Sequence, residues 1–176
     1  MSRADGENFV WVGDGVTLVR STDADWERAN GNLRPGDAEE RAAALAAKGG
    51  APTPGRMESA WTIRDGADVL GYVGLMPFDD ESLMSRSRMV VMLSTREVDR
   101  RKVKYVRWSR AVFAAVAERA PKWVDDFYTY PLASYRAAVK WLKRVLRFRV
   151  VEERVEDGYE YLLMGISRKE ATSWRS

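Results

Sequence analysis

The sequence predicts one mixed α/β domain spanning most of its 176 residues. Three observations predict it. Short β-branched or apolar runs alternate with amphipathic stretches of helical period, in the order β-α-α-β-β-β-α-β-α-β-β. Two hairpin signals, Asp65-Gly66 and Glu156-Asp157-Gly158, join strand-like runs early and late in the chain. No linker is long enough to divide the chain, and its length suits a single core of roughly 100–200 residues.

Each element has a local reason. Residues 1–15 are rich in Gly and Asp and read as an N-terminal extension, with Phe9, Val10, Trp11 and Val12 as an apolar cluster that should dock on something. Val16–Arg20 is β-branched and short, a strand. Ser21-Thr22-Asp23 offers N-cap residues ahead of a helix carrying Trp26, and Gly31, Pro35 and Gly36 end it. Asp37–Lys48 is Ala- and Glu-rich, a second helix capped by Asp37 and stopped by Gly49-Gly50. Ala51–Arg56, with two prolines and a glycine, is a loop. Ser59–Arg64 and Val69–Pro77 form the first hairpin, and Ser87–Thr95 the next strand. Asp99 is placed to cap a helix over Arg100–Arg119 that Pro121 ends. Val124–Tyr130 is strand-like, and Pro131 opens a helix over Leu132–Leu146. Phe148–Glu153 and Tyr159–Ile166 close the pattern. The domain therefore covers 16–168, with 169–176 as a C-terminal tail.

Composition removes whole classes of chemistry. Hydrophobic residues make up 45% and aromatics 11%, which argues against disorder. There is no cysteine and no histidine. Disulfides, thiolate or imidazole metal sites and His-based nucleophile activation are excluded, and no metal site is expected. Catalysis would have to use carboxylates, tyrosines, serines, lysines or backbone groups; Ser109 and Ser134 have no partner to activate them. Apolar runs such as Val69–Phe78 fall far short of the roughly 20 residues that span a bilayer. Met1–Asn8 is polar and unlike a signal peptide, so a cytoplasmic setting is expected.

The net charge is +3, but its placement is uneven. Arg96–Arg110 holds seven basic residues against Glu97 and Asp99, and Arg136–Arg149 holds six with no acid. On the first helix Arg100, Lys104 and Arg107 share a face, with Tyr105, Trp108, Val112 and Val116 on the apolar side. On the second, Arg136, Lys140, Lys143, Arg144 and Arg147 oppose Tyr135, Val139, Leu142 and Leu146. These faces are either solvated helix exteriors or surfaces for an anion: nucleic acid, nucleotide or acidic protein. No nucleic-acid motif is present, so such binding would be sequence-blind. Trp11 and Trp174, in the terminal segments, either anchor a partner or pack back on the domain.

The element order resembles the N-acetyltransferase (GNAT) superfamily over Val16–Arg168. Met92–Val116 is similar to the strand, loop and helix that hold acetyl-CoA there. Ser134, Ala137, Trp141 and Leu146-Arg147-Phe148 stand where the family has Asn-x-x-Ala, an aromatic and Leu-Gly-Phe. The resemblance implies a cofactor loop at Arg100-Arg101-Lys102-Val103-Lys104-Tyr105, against a family pattern Gln/Arg-x-x-Gly-x-Gly/Ala. Glycines at a helix start let phosphates reach the backbone N–H groups. Arg100 keeps the first place, while Val103 and Tyr105 replace both small residues. Trp141 stands where the family often has a proton-donating tyrosine, and indole is no acid at neutral pH. Tyr135 is expected to point elsewhere on its helix. Glu97, just after the central strand, is the candidate base. Ser59-Ala60-Trp61, Val69–Gly74, Arg107-Trp108-Ser109-Arg110 and Lys140-Trp141-Leu142 further resemble acetyltransferase-like virion proteins of podophages. That resemblance implies a non-enzymatic component of a phage-type assembly in the host cytoplasm or virion. It would need no cofactor and would touch virion proteins or further copies of itself through Arg107, Arg136, Lys140, Lys143, Trp11 and Trp174. The alternative is an active acetyl-CoA-dependent N-acetyltransferase with an atypical cofactor loop. A third reading is a small regulatory or host-interaction protein.

Overall fold

The computed structural model describes residues 9–13, 15–46, 53–77 and 86–175. Eight strands form one mixed sheet in the order β1-β2-β3-β4-β5-β6-β8-β7. They are β1 (Phe9–Gly13), β2 (Val16–Arg20), β3 (Ser59–Asp65), β4 (Asp68–Pro77), β5 (Ser87–Ser94), β6 (Asp126–Thr129), β7 (Arg149–Glu156) and β8 (Tyr159–Ser167). Every pairing is antiparallel except β5 with β6. The helices are α1 (Asp23–Asn30), α2 (Pro35–Ala46), α3 (Lys102–Arg119), α4 (Arg136–Arg144) and α5 (Arg168–Thr172).

Both hairpins turn where the sequence places them. Gly66 has φ +58 between paired Asp65 and Asp68. Asp157 and Gly158 have φ +50 and +84 between Glu156 and Tyr159, the pair of positive angles that suits the strands' right-handed twist. The α1 cap is also legible. Thr22 Oγ1 accepts from Asp25 N at 3.2 Å, and the Asp25 carboxylate accepts from Thr22 N at 3.2 Å, a reciprocal capping box.

The sheet is covered on both faces. Val73, Leu75 and Val90 pack with Trp108, Val112 and Phe113 of α3, Leu142 of α4 and Ala171 of α5 in the larger core. On the other face Trp26 of α1 meets Tyr72 edge-on, ring centroids 4.7 Å apart, with Leu33 and Leu93. That two-sided cover explains why central β4 reads as an almost unbroken apolar run.

Several expectations are corrected. Residues 9–13, read as part of an extension, form β1 and pair with β2, which continues the sheet; the side chain of Trp11 lies outside the described residues, as do Gly49-Gly50. The tail, in turn, folds as α5 and a 3-10 turn over Ser173–Arg175, and Trp174 packs on Phe113 with centroids 6.0 Å apart. Asp37 is not a cap: α2 begins at Pro35, and the Asp37 carboxylate turns inward. Asp99 does not cap α3 either. A 3-10 turn, Arg96–Arg101, runs straight into α3, and Asp99 pairs with Arg34 at 3.1 Å. α4 is shorter than Leu132–Leu146, because Leu132 is held by a β-bridge to Tyr161 and the helix starts only at Arg136. Its far end closes through Arg147 at φ +55, with Phe148 N donating to Leu142 O at 3.0 Å.

Candidate active site in the strand splay

β5 and β6 run in parallel only over Ser87–Met89 against Asp126–Tyr128. β6 then ends at Thr129 while β5 continues to Ser94, so the strands part at their carboxyl ends. In open α/β sheets this is where ligand crevices form. A cavity of about 80 Å³ lies there, lined from α2 by Asp37 and Glu40, from β5 by Met92 and Ser94, and by Tyr105 and Tyr135. A smaller cavity of about 30 Å³ adjoins it, and Met92, Ser94, Tyr105 and Trp141 border both.

The end of β5 is finished by α2 rather than by a strand. Ser94 N donates to Asp37 Oδ1 at 2.9 Å, and Arg34 N donates to Ser94 O at 3.0 Å. Backbone direction alternates along a strand, so Met92 turns its own N–H and C=O to the same side, into the crevice. An extended, amide-bearing chain could hydrogen-bond there as a strand does.

The polar groups around this edge are linked. Tyr135 OH donates to Asp37 Oδ2 at 3.1 Å, and Leu132 N donates to Glu40 Oε1 at 2.9 Å. The Tyr105 hydroxyl and Ser94 Oγ are 3.2 Å apart. Burial disfavours the charged forms. It raises Asp37 against the opposing pull of its hydrogen bonds, and it pushes Glu40 up to about 8 and Tyr105 up to about 12. Tyr135 is raised as well, first by burial and then by the Asp37 charge. The Tyr135 ring lies against Gly36, where an added Cβ would collide with it. Chemically, the crevice combines a carboxyl group poised to exchange a proton near neutral pH with two phenol donors.

The sequence-predicted residues divide. Tyr105 lies in the site, its ring 5.4 Å from Trp141 and 4.9 Å from Trp108. Tyr135, expected to face elsewhere, is brought in from just before α4. Glu97 does not line the crevice; it sits in the 3-10 turn, paired with Arg100 at 3.4 Å and Arg101 at 3.6 Å. Arg101 is bound in addition to Asp65 at 3.0 Å and Asp68 at 2.5 Å. Lys102 and Lys104 are exposed, and Val103 points outward at 74% exposure. Arg107, Arg136, Lys140 and Lys143 are exposed on the outer sides of α3 and α4. Arg34, Asp37, Glu40 and Ser94 are additions that sequence reasoning missed. The available signal was Asp37-x-x-Glu40-x-x-Ala43, which sets two acids on the helix side that carries buried Ala43. Among the described residues no cluster of acidic side chains is arranged to hold a metal ion, and no helix is long and apolar enough to cross a membrane.

No family model and no curated protein matches the chain in sequence. Solved structures do match in shape. The aminoglycoside acetyltransferase AAC(6')-Ib, in complex with paromomycin and acetyl-CoA, superposes with a TM-score of 0.65 at 16% identity, over 93% of this chain and 99% of that one. A spermidine N-acetyltransferase from Vibrio cholerae gives 0.62 at 12% identity, over 93% and 100%. An aminoglycoside N(6')-acetyltransferase from Legionella pneumophila gives 0.61 at 12% identity, over 92% and 96%. The chain thus has the mixed α/β fold of the N-acetyltransferase (GNAT) superfamily.

Proposed function

We propose that the protein is an acyl-CoA-dependent N-acyltransferase acting on a primary amine, with the reaction centred in the β5–β6 splay. The observation that carries this reading is the linked group Asp37, Glu40, Tyr105 and Tyr135 around the free edge of Met92. The neighbours named above are N-acetyltransferases, one of them in complex with acetyl-CoA. The residues fit the amide-bearing arm of such a cofactor at Met92. At the phosphate end the fit differs from a glycine loop. Val103 stands outward, Tyr105 turns inward, and the exposed Lys102 and Lys104 would meet the phosphates at the start of α3. The bound cofactor supplies the activated acyl group. Glu40 would take the proton that the substrate ammonium must lose before its nitrogen can attack. The Tyr105 hydroxyl, beside Ser94 Oγ in the crevice, would return a proton to the departing sulfur. Calorimetry with acetyl-CoA, followed by thiol release with a panel of primary amines, tests this. Micromolar binding and amine-dependent release are expected; no binding at millimolar cofactor defeats the reading.

A second reading is a non-enzymatic GNAT-fold component of a phage-type assembly that works through protein contacts. One observation favours it. Tyr105, stacked among Trp108 and Trp141, fills the space between the two cavities at a position where the family pattern has a small residue.

A further inference from the structure

The outer face of α4 has no role in the splay chemistry. Trp141 and Leu142 turn toward the crevice and core. Arg136, Lys140 and Lys143 follow one another at spacings of four and three, so they share a stripe on the side away from it. Arg144 flanks the stripe and Arg147 extends it beyond the helix end. All five are exposed. Among the described residues none of the five makes an ion pair, although arginines 34, 64, 86, 88, 101, 149 and 154 all do.

This arrangement works against the stability of the helix. Like charges one turn apart repel. Arg136 also lies in the first turn, where the helix dipole disfavours a cation. Only Lys143 and Arg144, in the last turn, are favoured there. The stripe presents about one cation per turn, and a turn rises about 5.4 Å. No large hydrophobic side chain of α4 is exposed. A protein partner would be expected to dock on aromatic or aliphatic anchors, and α4 offers none. A phosphate backbone needs only spaced cations.

We infer that the outer face of α4, through Arg136, Lys140, Lys143, Arg144 and Arg147, binds the phosphate backbone of nucleic acid without reading its sequence. The inference is independent of the acyl-transfer reading, since none of these five residues belongs to the crevice.

The test is fluorescence anisotropy of the full chain with labelled 20-mers of DNA and RNA, single- and double-stranded, of two unrelated sequences. Binding should be equal for the two sequences. With four or five phosphate contacts, affinity for duplex DNA should fall roughly 150- to 500-fold between 50 and 200 mM salt. Lys140→Glu with Lys143→Glu should reduce affinity at least tenfold and flatten the salt slope by about two. Lys140→Glu removes repulsion while Lys143→Glu places an acid at the end of the helix that the dipole makes negative, so the two effects offset and the double variant should melt within a few degrees of the parent. Lys140→Gln with Lys143→Gln should show the same direction with a smaller loss. Absence of binding at 50 mM salt overturns the inference, as does binding that survives both double variants. Capture of polyglutamate with no capture of nucleic acid overturns it in favour of an acidic protein partner.

Discussion

Glu40 is an acid whose folded-state affinity for its proton is raised by burial to about 8, against a usual value near 4.5. The folded chain therefore binds more protons than the unfolded chain between those values. The stability this provides is fully present below about pH 4.5 and is lost as pH rises through about 8. Melting temperature should fall between pH 5 and 8, by the equivalent of roughly 1–3 kcal/mol, and Glu40→Gln should flatten that fall. Asp37 shifts in the same direction and adds to the slope. If Glu40 is the base, the transfer rate should climb over the same interval and the Gln variant should lose that climb; a Gln variant with the parent's pH–rate profile removes Glu40 from the role. Arg147 offers a second residue-scale prediction. It holds φ +55, which glycine adopts without a Cβ clash. Arg147→Gly should stabilise the fold by about 1 kcal/mol in urea denaturation, because the αL closure of α4 would carry less strain.

Among the elements, α3 and α5 share the core and are also joined by one polar side chain. The Arg168 guanidinium donates to Pro121 O at 2.7 Å, Ala120 O at 3.0 Å, Glu118 O at 3.2 Å and Val124 O at 3.3 Å. A cation on the last carbonyls of a helix satisfies orphan acceptors and offsets the dipole. Arg168→Ala should cost about 1–3 kcal/mol by thermal melting, and Arg168→Lys should recover only part of it, since a single ammonium cannot span four carbonyls. A loss below about 0.3 kcal/mol would show that water replaces the guanidinium. The first turn of α2 is joined to β5 in a comparable way, with Asp37 standing in for a strand partner of Ser94. Both hairpins, the Thr22 cap of α1 and the apolar run of β4 were legible because their causes lie within a few residues. The starts of α3 and α4 were not. In both places a tertiary contact, Asp99 with Arg34 and Leu132 with Tyr161, takes the residue that local propensity assigns to the helix.

For the whole molecule, the plug at the splay decides between the two functional readings. Tyr105 stands between cavities of about 80 and 30 Å³ and is the α3 residue that borders both. Tyr105→Ala should merge them. If the chain is a transferase that uses the Tyr105 hydroxyl, the variant should keep acetyl-CoA binding and lose turnover by about 10²-fold. If the plug is what keeps the cofactor out, the parent should bind nothing and the variant should gain measurable affinity. Calorimetry on both proteins separates these outcomes.

The sequence by itself determined the class of fold, the order of the central elements, both hairpin turns and the absence of thiol and imidazole chemistry. Those properties follow from period, turn residues and composition, which act locally. It also marked the basic stripe of α4, because helical spacing alone places those cations together. Only the tertiary structure decided the site. Asp37 and Glu40 on α2, Ser94 on β5, Tyr105 on α3 and Tyr135 before α4 are far apart in the chain, and their proton affinities are set by burial in a crevice that exists only where two parallel strands part.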